Sequence, residues 1–194
     1  MDSTVGILLM LSCVMAYRPS LKERKLITEY HTLVRQRVSP PASDMQIMTY
    51  SVEMEDLAID WTSRCKLNPP DAFMYPHFIG TTTNLAVVIG GKPVLKKVGK
   101  KWFSAKQNES TSVDPCKDNY HHYHKMVWST STQIGCAIGR CDHVAFDLQP
   151  PVYIVGCVYK TPHYDCHSSP YTHGRSCSQC PSGSACFRNQ CVSK

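Results

Sequence analysis

The chain has 194 residues, 21 Lys and Arg against 15 Asp and Glu, a formal net charge of +6 and 11 cysteines. That length suits one compact domain with a small appendage. The modest positive excess gives no footing for a nucleic-acid partner, and no apolar run is long enough to cross a bilayer, so no transmembrane segment is expected.

Val5 to Val14 form a short apolar run, and Val14-Met15-Ala16 places small or tolerated residues at the −3 and −1 positions of a signal-peptidase site. Residues 1–16 are therefore predicted to be a signal peptide cleaved after Ala16. Cleavage removes Cys13, leaving ten cysteines, and removes Asp2, moving the charge from +6 to +7. An even cysteine number in the secretory route predicts five disulfides and a secreted, extracellular protein. Asn108-Glu109-Ser110 is a glycosylation sequon, with Asn108 as acceptor.

Ser20-Leu21-Lys22-Glu23 has capping-box spacing, and Leu26, Ile27, Tyr30, Leu33, Val34 and Val38 recur behind it at helical intervals. This helix is expected to stop at Pro40-Pro41. Ser51 caps a second helix whose apolar stripe is Met54, Leu57, Ala58, Trp61 and Cys65, ended by Asn68-Pro69-Pro70. Residues 66–91 read as irregular. Pro93 suits the first position of a third helix, with Val94, Leu95, Val98 and Trp102 facing inward. Lys92, Lys96, Lys97, Lys100, Lys101 and Lys106 occupy its other side, as a solvated face or a contact for anionic membrane or glycan.

His121-His122-Tyr123-His124-Lys125-Met126-Val127-Trp128 then packs three imidazoles into eight residues, ahead of Gly135-Cys136. Strands are expected over 135–139, 144–148 and 152–159, the last continuously apolar and so central. Helices first and clustered antiparallel strands after predict a layered α+β sandwich. Residues 166–194 hold Ser, Gly, Pro and Cys with almost no aliphatics, so they read as a disulfide-held knob.

Several of these segments resemble the CAP superfamily, which holds the cysteine-rich secretory, antigen 5, pathogenesis-related and venom allergen-like proteins. His31, Arg35, Val38, Pro40-Pro41-Ala42, Met45 and Met48-Thr49-Tyr50, with Leu57, Trp61 and Cys65, resemble its first helical pair. His122 to Trp128 with Gly135-Cys136 is similar to its first signature, and Val155-Gly156-Cys157-Val158-Tyr159 to its second. Pro170 to Pro181 is similar to the hinge of the cysteine-rich secretory branch. The resemblance covers residues 21–191. It implies a three-layer α-β-α sandwich with an antiparallel central sheet over 17–165 and a Cys-rich, hinge-like extension over 166–194. It also implies the pairings Cys65–Cys141, Cys136–Cys157, Cys177–Cys186 and Cys180–Cys191, leaving Cys116 with Cys166.

Family members often carry two histidines and two glutamates in a central cleft, a set able to hold zinc while a carboxylate positions water. Here only His122 matches; Pro69, Thr83 and Ala105 stand at the other three positions. His122 and His124 would share a face of an extended segment and supply two candidate metal ligands, short of the three or four that zinc wants. With the cysteines oxidised and no Gly-x-Ser-x-Gly elbow, no activated nucleophile is expected, Ser129 and Ser131 beside the histidine notwithstanding. The reading is therefore non-enzymatic, without a cofactor. The resemblance implies lipid binding, of a sterol or fatty acid, for which Tyr120, Tyr123, Trp128, Phe73 and Phe78 are the candidate residues, and an extracellular, host-interaction or immunomodulatory role. The alternatives are a module that binds an extracellular receptor or matrix protein without carrying lipid and, further off, zinc-dependent cleft chemistry.

Overall fold

The computed structural model describes residues 16–104, 121–145 and 147–193. Residues 1–15 of the signal peptide expected over 1–16, and Ala105, Asn108, Cys116 and Tyr120, lie outside the described residues. After a short edge strand β1 (Ala16–Tyr17), α1 (Leu21–Gln36) opens on the capping box: Ser20 N donates to Glu23 Oε2 and Glu23 N to Ser20 Oγ. It ends at Arg37, ahead of the prolines. A two-residue strand β2 (Thr49–Tyr50) leads to Ser51, whose Oγ accepts from Met54 N and starts α2 (Val52–Ser63). α2 stops before Cys65, which has a positive φ of 53°.

The sheet runs β1-β4-β5-β3, with β3 spanning Thr81–Ile89, β4 Gln133–Arg140 and β5 Val152–Lys160. Its long strands are antiparallel, and β2 joins β4 in parallel. β5 is central, as its apolar run predicts. β3 (Thr81–Ile89) occupies part of the stretch expected to be irregular. Its first residues, Thr81 to Asn84, are all polar and mask the strand, but all nine positions pair with β5. The expected strand at 144–148 is absent from the described residues there, which form turns.

Helices cover both faces. α1, α3 (Leu95–Ser104) and α4 (His121–Met126) bury Ile27, Leu95, Trp102 and Met126 against Ile134, Ile138, Val155 and Tyr159. α2 buries Met54, Ala58 and Trp61 against Ala137, Val158 and Phe78 on the opposite face. α3 starts at Leu95, so Val94 supplies a first-turn carbonyl to Lys97 N and Val98 N; it is 52% exposed rather than inward-facing.

Glycine decides how close α2 comes. A Cβ on Gly135 would lie 2.0 Å from Glu55 N, and one on Gly139 2.4 Å from Thr62 O. The α2 backbone thus rests directly on β4, which is why the first signature runs into Gly135. Beneath that contact Glu55 is buried, paired with Arg18 and Arg24 at 2.8 Å and accepting from Tyr50 OH.

Four disulfides lie among the described residues: Cys65–Cys141, Cys136–Cys157 across β4 and β5, Cys177–Cys186 and Cys180–Cys191. Cys166 is also disulfide-bonded. The extension carries a hairpin, β6 (Ser184–Phe187) and β7 (Gln190–Ser193), and it does not stand off as a knob. Cys191 N donates to Met45 O and Ile47 N to Cys191 O, while Ala42 bridges His173. Gln190, fully buried, donates to Thr32 O, and Arg188 forks onto Glu29. Composition alone predicts a self-contained appendage; the 42–47 segment and α1 instead supply its partners.

Candidate functional site: the polar relay ending at His122

His122 sits on α4, a single helical stretch of six residues rather than the extended segment expected. Residues two apart on a helix diverge by roughly 200°. His122 accordingly turns to Asn84 and the Trp102 ring (centroids 5.9 Å apart), whereas His124 turns to Tyr164 and Ser168. The shared face proposed for His122 and His124 as metal ligands is thereby corrected. Both ring nitrogens of His124 are within hydrogen-bonding distance of protein atoms: Nε2 donates to Ser168 O at 2.9 Å, so Nδ1 accepts from Tyr164 OH at 3.2 Å.

The hydrogen bonds behind His122 have a fixed direction. His31 Nδ1 faces Ile27 O at 2.8 Å, an acceptor only, so it carries the proton. His31 Nε2 then accepts from Tyr159 OH at 3.0 Å, and the Tyr159 oxygen accepts from Asn84 Nδ2 at 3.2 Å. Asn84 Nδ2 also donates to His122 O at 2.9 Å, which orients the amide and leaves Oδ1 facing His122 Nδ1 at 3.1 Å. His122 is thus protonated on Nδ1. Burial pushes His31 down to about 4, holding it neutral, and pushes the Tyr159 phenol up.

Side chains from α3 and α4 also cover the free edge of β3. Lys125 Nζ donates to Thr83 O at 2.9 Å and Trp102 Nε1 to Leu85 O at 3.2 Å, satisfying carbonyls that an uncovered edge would offer to another chain. Burial lowers Lys125 to about 8. Where a metal cleft needs carboxylates, this one presents an amide, a buried threonine at position 83 and an ammonium. That donor set does not fit a divalent cation. Among the described residues no cluster of three His, Cys, Asp or Glu is placed to hold one. Nor are the neighbouring serines arranged as nucleophiles: Ser129 Oγ donates to Asp44, and Ser131 Oγ is bonded to Thr161 Oγ1 in the interior.

The lipid candidates are dispersed. Tyr123 is buried on the α1/α3/α4 side, Trp128 is buried against the His124 and Tyr164 rings, and Phe78 is buried on the α2 side against Trp61. Phe73 is 90% exposed at a loop tip. These four do not converge on one cavity. Sequence reasoning missed the relay itself, although α1 carried a signal: His31 and Arg35 fall on the same helical stripe as Ile27 and Val38, where apolar residues are expected.

A three-layer sandwich with paired His-Tyr-Asn-His polarity and a docked Cys-rich tail defines a recognisable class. The family model described as CAP, the cysteine-rich secretory protein family, matches residues 12–159, and the chain belongs to that family. Its sequence is 31% identical to peptidase inhibitor 15 of Xenopus laevis over 180 residues, covering 85% of this chain and 68% of the relative. It is 27% identical to GLIPR1-like protein 1 of Bos taurus, covering 98% of this chain and 81% of that protein. Among solved structures, the hookworm platelet inhibitor superposes with a TM-score of 0.75 at 20% identity, covering 93% of this chain and 96% of the other. That likeness is one of fold.

Proposed function

We propose that this chain is a secreted, non-enzymatic binding protein that engages an extracellular receptor or matrix protein through a rigid surface loop. The carrying observation is the tip of the 66–80 segment. Phe73, Met74 and Ile79 are 90%, 66% and 70% exposed, an unusual outlay of apolar surface for one loop. The base of that loop is locked. Trp61 Nε1 donates to Asn68 O, Tyr75 stacks edge-on against Trp61 at 4.9 Å, and Lys66 lies over both rings. A preordered apolar tip binds without the entropy cost of arranging itself.

The leader expected over 1–16, the disulfides and the family support secretion; the missing carboxylates and oxidised cysteines support a role without catalysis. Relatives named as inhibitors of peptidases and of platelets are consistent with action on other proteins. Sterol or fatty-acid carriage rests on the family resemblance, since the described aromatic candidates do not share a cavity.

The test is binding of labelled, delipidated protein to cells and matrix. Saturable binding is expected, with the Phe73→Ser/Met74→Ser variant weaker by about tenfold or more, as for a central interface anchor, at unchanged thermal stability. Unchanged binding by that variant would sink the loop reading. Saturable uptake of cholesterol sulfate or palmitate by the delipidated protein, without cell binding, would instead establish carriage.

A further inference from the structure

Docking of the extension creates a recess of about 570 Å³ that neither the relay nor the exposed loop uses. Trp128 enters it from the turn after α4, His163 from the segment after β5, and Tyr171 and His173 from the extension; Asp44 comes from the segment before β2. The volume falls within the range of small-molecule sites, roughly 300–1,000 Å³.

Its chemistry is set by one carboxylate among aromatic walls. Asp44 Oδ2 accepts from Ser129 Oγ at 3.2 Å and Thr172 Oγ1 at 2.9 Å, and Oδ1 accepts from Thr172 N at 3.0 Å. All three donors are neutral, so they orient the carboxylate without cancelling its charge. Among the described residues Asp44 forms no ion pair. Arg35 lies near enough to feel its charge, but its Nη1 and Nη2 donate to backbone carbonyls and not to Asp44. Trp128 is held in place by the His124 and Tyr164 rings, at centroid distances of 5.3 and 5.0 Å. Tyr171 is fixed beside His173 at 5.4 Å.

We propose that this recess binds a small organic ammonium ion with a flat apolar body, its ammonium on Asp44 and its body against Trp128 and Tyr171. A charge-assisted hydrogen bond to an oriented carboxylate and packing of the flat body on the indole and phenol rings are the two interactions that single out such a ligand. The site needs the extension docked, because Thr172 both orients Asp44 and carries Tyr171 into the wall. It is independent of the exposed loop.

Isothermal titration of the full chain with phenethylammonium and with its neutral isostere 2-phenylethanol tests the assignment. The ammonium is expected to bind about tenfold or more tightly, equivalent to about 1.4 kcal/mol of charge recognition. Asp44→Asn should erase that preference, and Phe73→Ser should leave it intact. Equal binding of the two compounds, binding of neither at millimolar concentration, or a preference that survives Asp44→Asn would overturn the proposal. The isostere comparison needs no variant, so it stands even if Asp44→Asn fails to fold.

Discussion

Arg35 Nη1 donates to the carbonyl of Trp128 at 2.8 Å, and four further carbonyls share the same guanidinium. Met126 closes α4, Ser129 and Ser131 belong to the turn between α4 and β4, and Gln46 to the strip under the extension. Burial lowers the pKa of Arg35 to about 9, still well above neutrality, so a cation without a touching carboxylate is held by carbonyl dipoles. Arg35→Met should cost about 3–5 kcal/mol, since it strands those carbonyls as well as removing the charge. Arg35→Lys should recover only part, because an ammonium cannot fork across them. Urea unfolding midpoints measure both.

Gly135→Ala should be among the most damaging single changes in the sheet. The added methyl would meet the backbone of α2 at 2.0 Å, and a helix axis cannot rotate away as a side chain can. A loss of about 3 kcal/mol, at the upper end for overpacking, is expected in chemical denaturation. A loss under about 1 kcal/mol would mean that α2 does not seat on β4 as described.

His31 predicts an acid limit. Its folded pKa of about 4 lies below the ordinary 6.5, so between these values the unfolded chain binds a proton that the folded chain does not. Its contribution is fully present above pH 6.5 and is lost as pH falls toward 4. At about 1.36 kcal/mol per unit, the loss approaches about 3 kcal/mol. The stability–pH curve of His31→Gln should be flatter than that of the parent across this window.

Lys125 predicts a gain. Its folded pKa of about 8 lies below 10.5, so the fold disfavours the charged amine at neutral pH and stability should rise between pH 8 and 10.5. The shift corresponds to about 3 kcal/mol, against about 1 kcal/mol for the lost hydrogen bond to Thr83 O. Lys125→Met should therefore raise the unfolding free energy at pH 7 by about 1–2 kcal/mol. A decrease would show that the contact with Thr83 outweighs desolvation.

What could be read from sequence was what neighbours in the chain decide. The Ser20–Glu23 box and the Ser51 cap act within one turn, and β5 announces itself by an unbroken apolar run. β3 was hidden because Thr82, Thr83 and Asn84 are buried polar residues whose place is set by β5, about seventy residues on. α4 was misread as extended because six residues carry little intrinsic helical preference, and Asn84, Thr83 and Arg35 hold it from outside. His122 could be picked out, but its setting could not: His31 and Tyr159 meet across a separation of 128 residues.

The seating of Cys191 between Met45 and Ile47 bears on biosynthesis. The layers of helix and sheet are all present once Lys160 has been translated, yet the Met45 carbonyl and the Ile47 amide still await their partners. A nascent chain exposes that strip until residue 191 clears the ribosome. Closure of that strip is thus set by β7, which serves as a latch on the 42–47 segment.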